Sequence, residues 1–171
     1  MHGPWGPPPV HRPPSASVVE GLGRVYADVE AALAPVTAAC RACGRCCRFA
    51  PGGGIVLFAS AVELAYLVAE AGVRQPGTGP REQRHGHATR GEDLPHGRAA
   101  PDSAWRCPYQ EGDLCGARGA RLLGCRTYFC EAEARAAGER VYAEAFGRIQ
   151  RLSETSGLVC WYGPARDYPG L

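Results

Sequence analysis

The chain has 171 residues, enough for one domain with its own core, and a net charge of +2, which argues against a nucleic-acid or anionic-membrane partner. It holds 23 Gly, 15 Pro and 9 Cys, and all 19 of its basic residues are Arg, a bias read here as genome composition rather than phosphate recognition. No stretch approaches the roughly 20 apolar residues of a membrane span, and the Pro-rich start cannot form a signal-peptide core, so the expectation is a cytoplasmic protein.

Residues 1–14 read as a disordered or polyproline-like tail, and residues 15–171 as a single domain. Ser17 and Glu20 have the S-x-x-E spacing of a capping box. Behind them Val18, Leu22, Val25, Val29 and Leu33 recur at three- and four-residue steps, which predicts a helix with one buried face. Pro35 is expected to end that helix, and Thr37 to cap a short second one carrying the first cysteines. Residues 51–54, PGGG, predict a turn before the apolar run at 55–58. Ser60 and Glu63 form a second capping box, opening a helix whose Leu64, Leu67, Val68 and Ala71 face one way and which Gly72 stops. Residues 74–104 are polar, rich in Gly and Pro and without periodicity, so they read as a flexible insertion. The fold is expected to resume at Trp105. A last long helix, starting near residue 131 or 139 and running to 154, would bury Val141, Tyr142, Ala145, Phe146, Ile149 and Leu152. The fold class predicted is mainly α: a small irregular α domain organised around cysteine-ligated metal sites, with little strand.

Eight of the nine cysteines fall into two groups of four. Cys40, Cys43, Cys46 and Cys47 are spaced C-x2-C-x2-C-C, and Cys107, Cys115, Cys125 and Cys130 are spaced C-P-x6-C-x9-C-x4-C. In a reducing compartment such clusters serve as ligands rather than as disulfides. Soft thiolates select zinc, copper(I) or iron–sulfur clusters, and four per centre is the usual count. On a helix Cys40, Cys43 and Cys47 share a face, while Cys46 points roughly 120° away. If Gly44 breaks the helix into a knuckle, Cys43 and Cys46 can grip one metal. One centre or two, zinc or iron: the spacing leaves these open. Four thiolates on one zinc carry a net charge of about −2, and Arg41, Arg45, Arg48, Arg106 and Arg126 lie beside cysteines in the chain.

The two groups together resemble the bacterial YkgJ-like cysteine-cluster family, a zinc- or iron-chelating domain. The pieces that carry the resemblance are CRACGRCC, GIVLFASAVELAYL, CPYQEGDLC and CRTYFC, in the family's order from about residue 40 to residue 130. The resemblance implies that all eight clustered cysteines are ligands, and it places Arg121 and Arg126 where the family commonly has arginines. Leu122 departs from a usual Pro, and GARGA after Cys115 departs from a common Ile-Tyr pair. Similar patterns occur in flagellin lysine methylases. No reaction follows from the resemblance.

Other candidates are weaker. His85, His87 and His96 fall in the expected insertion, His2 and His11 in the tail, and Cys160 among apolar neighbours as a small hydrophobe. No nucleophile elbow, Walker loop or dinucleotide fingerprint is present. The expected function is therefore metal binding, by zinc or iron, at sites that are mainly structural. An iron–sulfur redox protein or accessory to a modifying enzyme is the alternative, and a zinc-ribbon-like protein-interaction module the third reading.

Overall fold

The computed structural model describes residues 13–37, 48–49, 56–72, 105–112, 114–129, 131–157 and 161–165. The tail at 1–12, the first cysteine group, the turn at 51–54 and the insertion at 74–104 lie outside the described residues. Four helices dominate what is described: α1 (Ala16–Thr37), α2 (Ala61–Ala71), α3 (Leu123–Thr127) and α4 (Ala132–Thr155). Strand among the described residues is confined to three antiparallel two-stranded ladders. In these, β1 (Arg48–Phe49) pairs with β3 (Trp105–Arg106), β2 (Phe58–Ser60) with β6 (Tyr162–Pro164), and β4 (Gln110–Glu111) with β5 (Leu114–Cys115). The fold is thus mainly α, with little strand. No helix among the described residues is long and apolar enough to cross a membrane.

α1 differs from its sequence expectation at both ends. The carbonyl of Ser15 accepts from the amides of Val18 and Val19, so the helix begins before Ser17, which is exposed on its first turn. Glu20, instead of closing a capping box, faces Arg24 one turn on. Pro35 lies inside the helix, which runs on to Thr37, and the second helix expected after it lies outside the described residues. A proline near a C-terminus costs one backbone bond, and here Leu33 and Val36 pack into the core and hold the last turn in place. The buried face is as the periodicity predicts: Val18, Leu22, Val25, Val29 and Leu33 are all buried.

α2 follows its sequence closely. The Ser60 hydroxyl accepts from the Glu63 amide while the Glu63 carboxylate accepts from the Ser60 amide, and Gly72 ends the helix at φ +74°, a left-handed angle that glycine takes without strain. α4 starts after Glu131 and packs against α1. Gly138 is buried against the backbone of Thr127, where any side chain would collide with its carbonyl, so this glycine permits the close approach of α4 to the end of α3.

These elements enclose two apolar clusters. The first joins α1 and α4 through Leu22, Val25, Val29, Ala145 and Ile149, with Val62, Leu123 and Phe129 from neighbouring segments. The second gathers Leu64 and Leu67 of α2 with Tyr109, Ala117, Leu122 and Trp161, and Cys107, Cys115 and Cys125 pack against it.

Candidate metal centre

The second cysteine group begins on a hairpin. β4 and β5 are joined through Gly112 at φ +59°, and two further backbone bonds tighten the base, from Gln110 to the Cys107 carbonyl (3.0 Å) and from Gly116 to the Tyr109 carbonyl (2.8 Å). Tyr109, fully buried, donates its hydroxyl to the Gly72 carbonyl at 2.7 Å and pins the hairpin to the end of α2. Cys107 and Cys115 therefore share one anchored unit. Cys125 comes from α3, the next helix in the chain after a short 3-10 turn.

These three thiols, each half-buried, line one small cavity of about 30 Å³. Leu57, Leu67 and Leu122 close its walls, and Arg121 is the one charged side chain on it. Thiols bind metal as thiolates, and three of them lie on this one cavity. The donor chemistry suits a soft metal and the room suits a single ion. The thiols are not drawn to ligand distance, however: among the described residues no group of three His, Cys, Asp or Glu side chains is placed to hold a metal ion. Cys40, Cys43, Cys46, Cys47 and Cys130 lie outside the described residues, as do Cys160 and all five histidines.

The β1–β3 ladder relates the two cysteine groups. Its register pairs Arg48 with Arg106 and Phe49 with Trp105. Arg48 is the residue after Cys47 and Arg106 the residue before Cys107. Segments more than fifty residues apart in the chain are thus joined at the flanks of the two groups.

Two buried charged residues, neither expected from the sequence to be buried, position the segment that carries Cys125. Glu63 is 2% exposed and accepts four hydrogen bonds: from the Ser60 amide (2.9 Å) and hydroxyl (2.8 Å), the Leu123 amide (2.9 Å) and the Tyr26 hydroxyl (3.4 Å). The capping box predicts only the Ser60 contact, whereas the bond to Leu123 fastens the start of α3 to the start of α2. Burial pushes the Glu63 carboxyl above its ordinary value, and the surrounding donors partly offset the rise. Burial also pushes the Tyr26 phenol well up, with the neighbouring Glu63 charge adding to it.

Arg126, beside Cys125, is 7% exposed and turned away from the thiols. Its guanidinium lies 4.1 Å over the Tyr26 ring, pairs with Glu30, and donates to the carbonyls of Arg121 (2.7 Å) and Gly119. Arg126, expected from its place beside Cys125 to balance thiolate charge, is engaged by these partners instead, and Arg121 is the charged residue that lines the thiol cavity. Successive residues of a helix project about 100° apart, so Cys125 and Arg126 address different neighbours.

On the other side of Cys125 a larger cavity, about 470 Å³, opens between β2, α3 and α4. Phe58, Tyr128, Tyr142 and Tyr162 form its aromatic wall, with Arg135 and Glu139 also lining it. Phe58 and Tyr162 stack at 5.6 Å, and the Tyr142 and Tyr162 hydroxyls are 2.7 Å apart. Cys125 lines both cavities. No protein-family model, curated protein or solved structure matches the chain.

Proposed function

We propose that the chain is a metal-binding cysteine-cluster protein of the YkgJ-like kind, in which Cys40, Cys43, Cys46, Cys47, Cys107, Cys115, Cys125 and Cys130 hold zinc or iron at sites that are mainly structural. The observation that carries this reading is the β1–β3 ladder: it sets the flanks of the two cysteine groups side by side, and Cys107 beyond it shares a cavity with Cys115 and Cys125. Four cysteines within eight residues need a common reason to be there, and so do three from a hairpin and a helix that meet at one cavity. A metal supplies one reason for both. A thiolate-bound ion would cross-link the hairpin to α3.

Zinc held by four thiolates is coordinatively closed and contributes folding energy without catalysis. The adjacent pair Cys46–Cys47 favours two neighbouring centres or an iron–sulfur cluster over a single zinc knuckle, which keeps a redox protein, or an accessory to a modifying enzyme, as the second reading.

Metal analysis and an absorption spectrum on protein purified without oxygen test the proposal. Zinc or iron bound to the wild type is expected, together with a marked loss of metal in Cys43→Ser and Cys125→Ser and none in Cys160→Ser. Broad absorption near about 400 nm with acid-labile sulfide would select the cluster over zinc. A metal-free wild type, or a Cys125→Ser variant with its full complement, would sink the assignment.

A further inference from the structure

We propose that Arg126 is the positioning residue of the thiol cavity, setting the distance between Cys115 and Cys125 by gripping the chain that connects them. The inference rests on the metal-centre reading of that cavity. Between the two cysteines the chain makes a single 3-10 turn, Arg118–Ala120, and then passes through Arg121 and Leu122 into α3. So short a segment has little regular hydrogen bonding of its own, and the carbonyls at the end of a turn lack partners within it. Arg126 supplies those partners. One face of its planar fork donates to the carbonyls of Gly119 and Arg121, and its remaining terminal nitrogen holds Glu30 of α1.

The grip is anchored outside the segment it holds. The Tyr26 ring beneath the guanidinium and the Glu30 carboxylate beside it both belong to α1, the longest buried face in the first core. Glu63 fixes the neighbouring amide of Leu123 in the same way from α2. Residues 119–126 are thereby referenced to the helical core, and the thiol of Cys115 to that of Cys125. Glu30 is itself largely exposed, so its attraction to Arg126 is screened and adds little. The carbonyl contacts, not the ion pair, are what the buried guanidinium uniquely provides.

That distinction gives the test. Arg126→Lys keeps a cation near Glu30 but cannot serve two carbonyls with a planar fork. Glu30→Gln removes the ion pair and leaves the fork in place. The full-length chain, stripped of metal, is titrated with cobalt(II) and followed by thiolate-to-cobalt absorption. Arg126→Lys is expected to weaken cobalt binding by about 10- to 100-fold, the usual cost of losing a residue that orients ligands, with Glu30→Gln close to wild type. Equal effects of the two variants, or wild-type affinity in Arg126→Lys, would overturn the proposal.

Amide hydrogen exchange of the metal-free chain supplies a second readout. Exchange at residues 119–126 should quicken in Arg126→Lys, but not in Glu30→Gln, relative to the amides of α4. If wild type takes up no cobalt yet this contrast persists, the metal reading fails while the positioning role stands. If exchange is unchanged, the positioning role fails whatever the cobalt result. Should the lysine variant not fold, Arg126→Gln, which keeps a single donor group, repeats both measurements.

Discussion

Leu22 and Ile149 lie at zero exposure between α1, of 22 residues, and α4, of 24, whereas Cys107, Cys115 and Cys125 share a cavity framed by strands of two residues and a helix of five. The first region is held by side chains at helical spacing along two long surfaces. Isolated two-stranded ladders are marginal in water, and a five-residue helix is shorter than one that stands alone. The second region therefore draws its order from elsewhere: from Tyr109 pinned to Gly72, from Glu63 and Arg126, and, on the proposal above, from metal. Metal should matter to the second core far more than to the first.

The largest effect expected tests that separation directly. Ile149→Ala removes a wholly buried side chain from the helical core and should cost about 2–5 kcal/mol. Urea unfolding followed by the helical circular dichroism signal would show it. The loss should be the same before and after treatment with a chelator. If instead it depended on metal content, the two cores would unfold as one unit and the comparison would collapse.

Glu63 bridges the two regions, since its carboxylate touches Tyr26 of α1, Ser60 before α2 and Leu123 of α3. Burial raises its folded pKa above the unfolded carboxylate value of about 4.3, so the folded state binds that proton more tightly. The corresponding stability is fully present below the unfolded value and is lost as pH rises through the folded one. The urea midpoint of wild type, measured against Glu63→Gln to cancel the other carboxyls, should fall over that rise. The substitution itself should cost about 1–3 kcal/mol, because an amide nitrogen would face a donor that the carboxylate accepts. A difference between the two proteins that did not vary with pH would remove Glu63 as the proton-sensitive link.

What the sequence made legible follows the same division. The apolar stripe of α1 and the cap and stop of α2 were readable because each is a local pattern: period, S-x-x-E, Gly. The start of α1 misled because Ser15 and Ser17 both suit a cap, and only the backbone bonds to the Ser15 carbonyl decide between them. Pro35 misled because tertiary packing of Leu33 and Val36 outweighs one lost hydrogen bond. In the site, the ligand candidates were legible by residue type and spacing, whereas the grouping of Cys107, Cys115 and Cys125 on one cavity depends on how the hairpin and α3 meet. The burial of Glu63 and Arg126 had no local signal. A capping glutamate and an arginine after a cysteine look the same whether they face water or protein. Only contacts 60 and 96 residues away in the chain, to Leu123 and Glu30, tell them apart.

The smallest effect expected sharpens the contrast from the other side. Arg148 of α4 donates to Asp28 of α1 at 2.7 Å, directly across the helix pair that forms the first core. The Asp28 side chain is 63% exposed, so water and salt screen the attraction and holding both side chains costs entropy. Asp28→Asn should therefore lower stability by only about 0.2–1 kcal/mol, and less in high salt, by the same urea assay. Metal content should not change, because neither residue approaches the thiol cavity. A larger loss would mean that charge, rather than the stripe from Val18 to Leu33, sets how α1 lies on α4. The grip of Arg126 on the cysteine segment, referenced through Tyr26 and Glu30 to that same helix, would then inherit a dependence on salt that a packed helical core should not transmit.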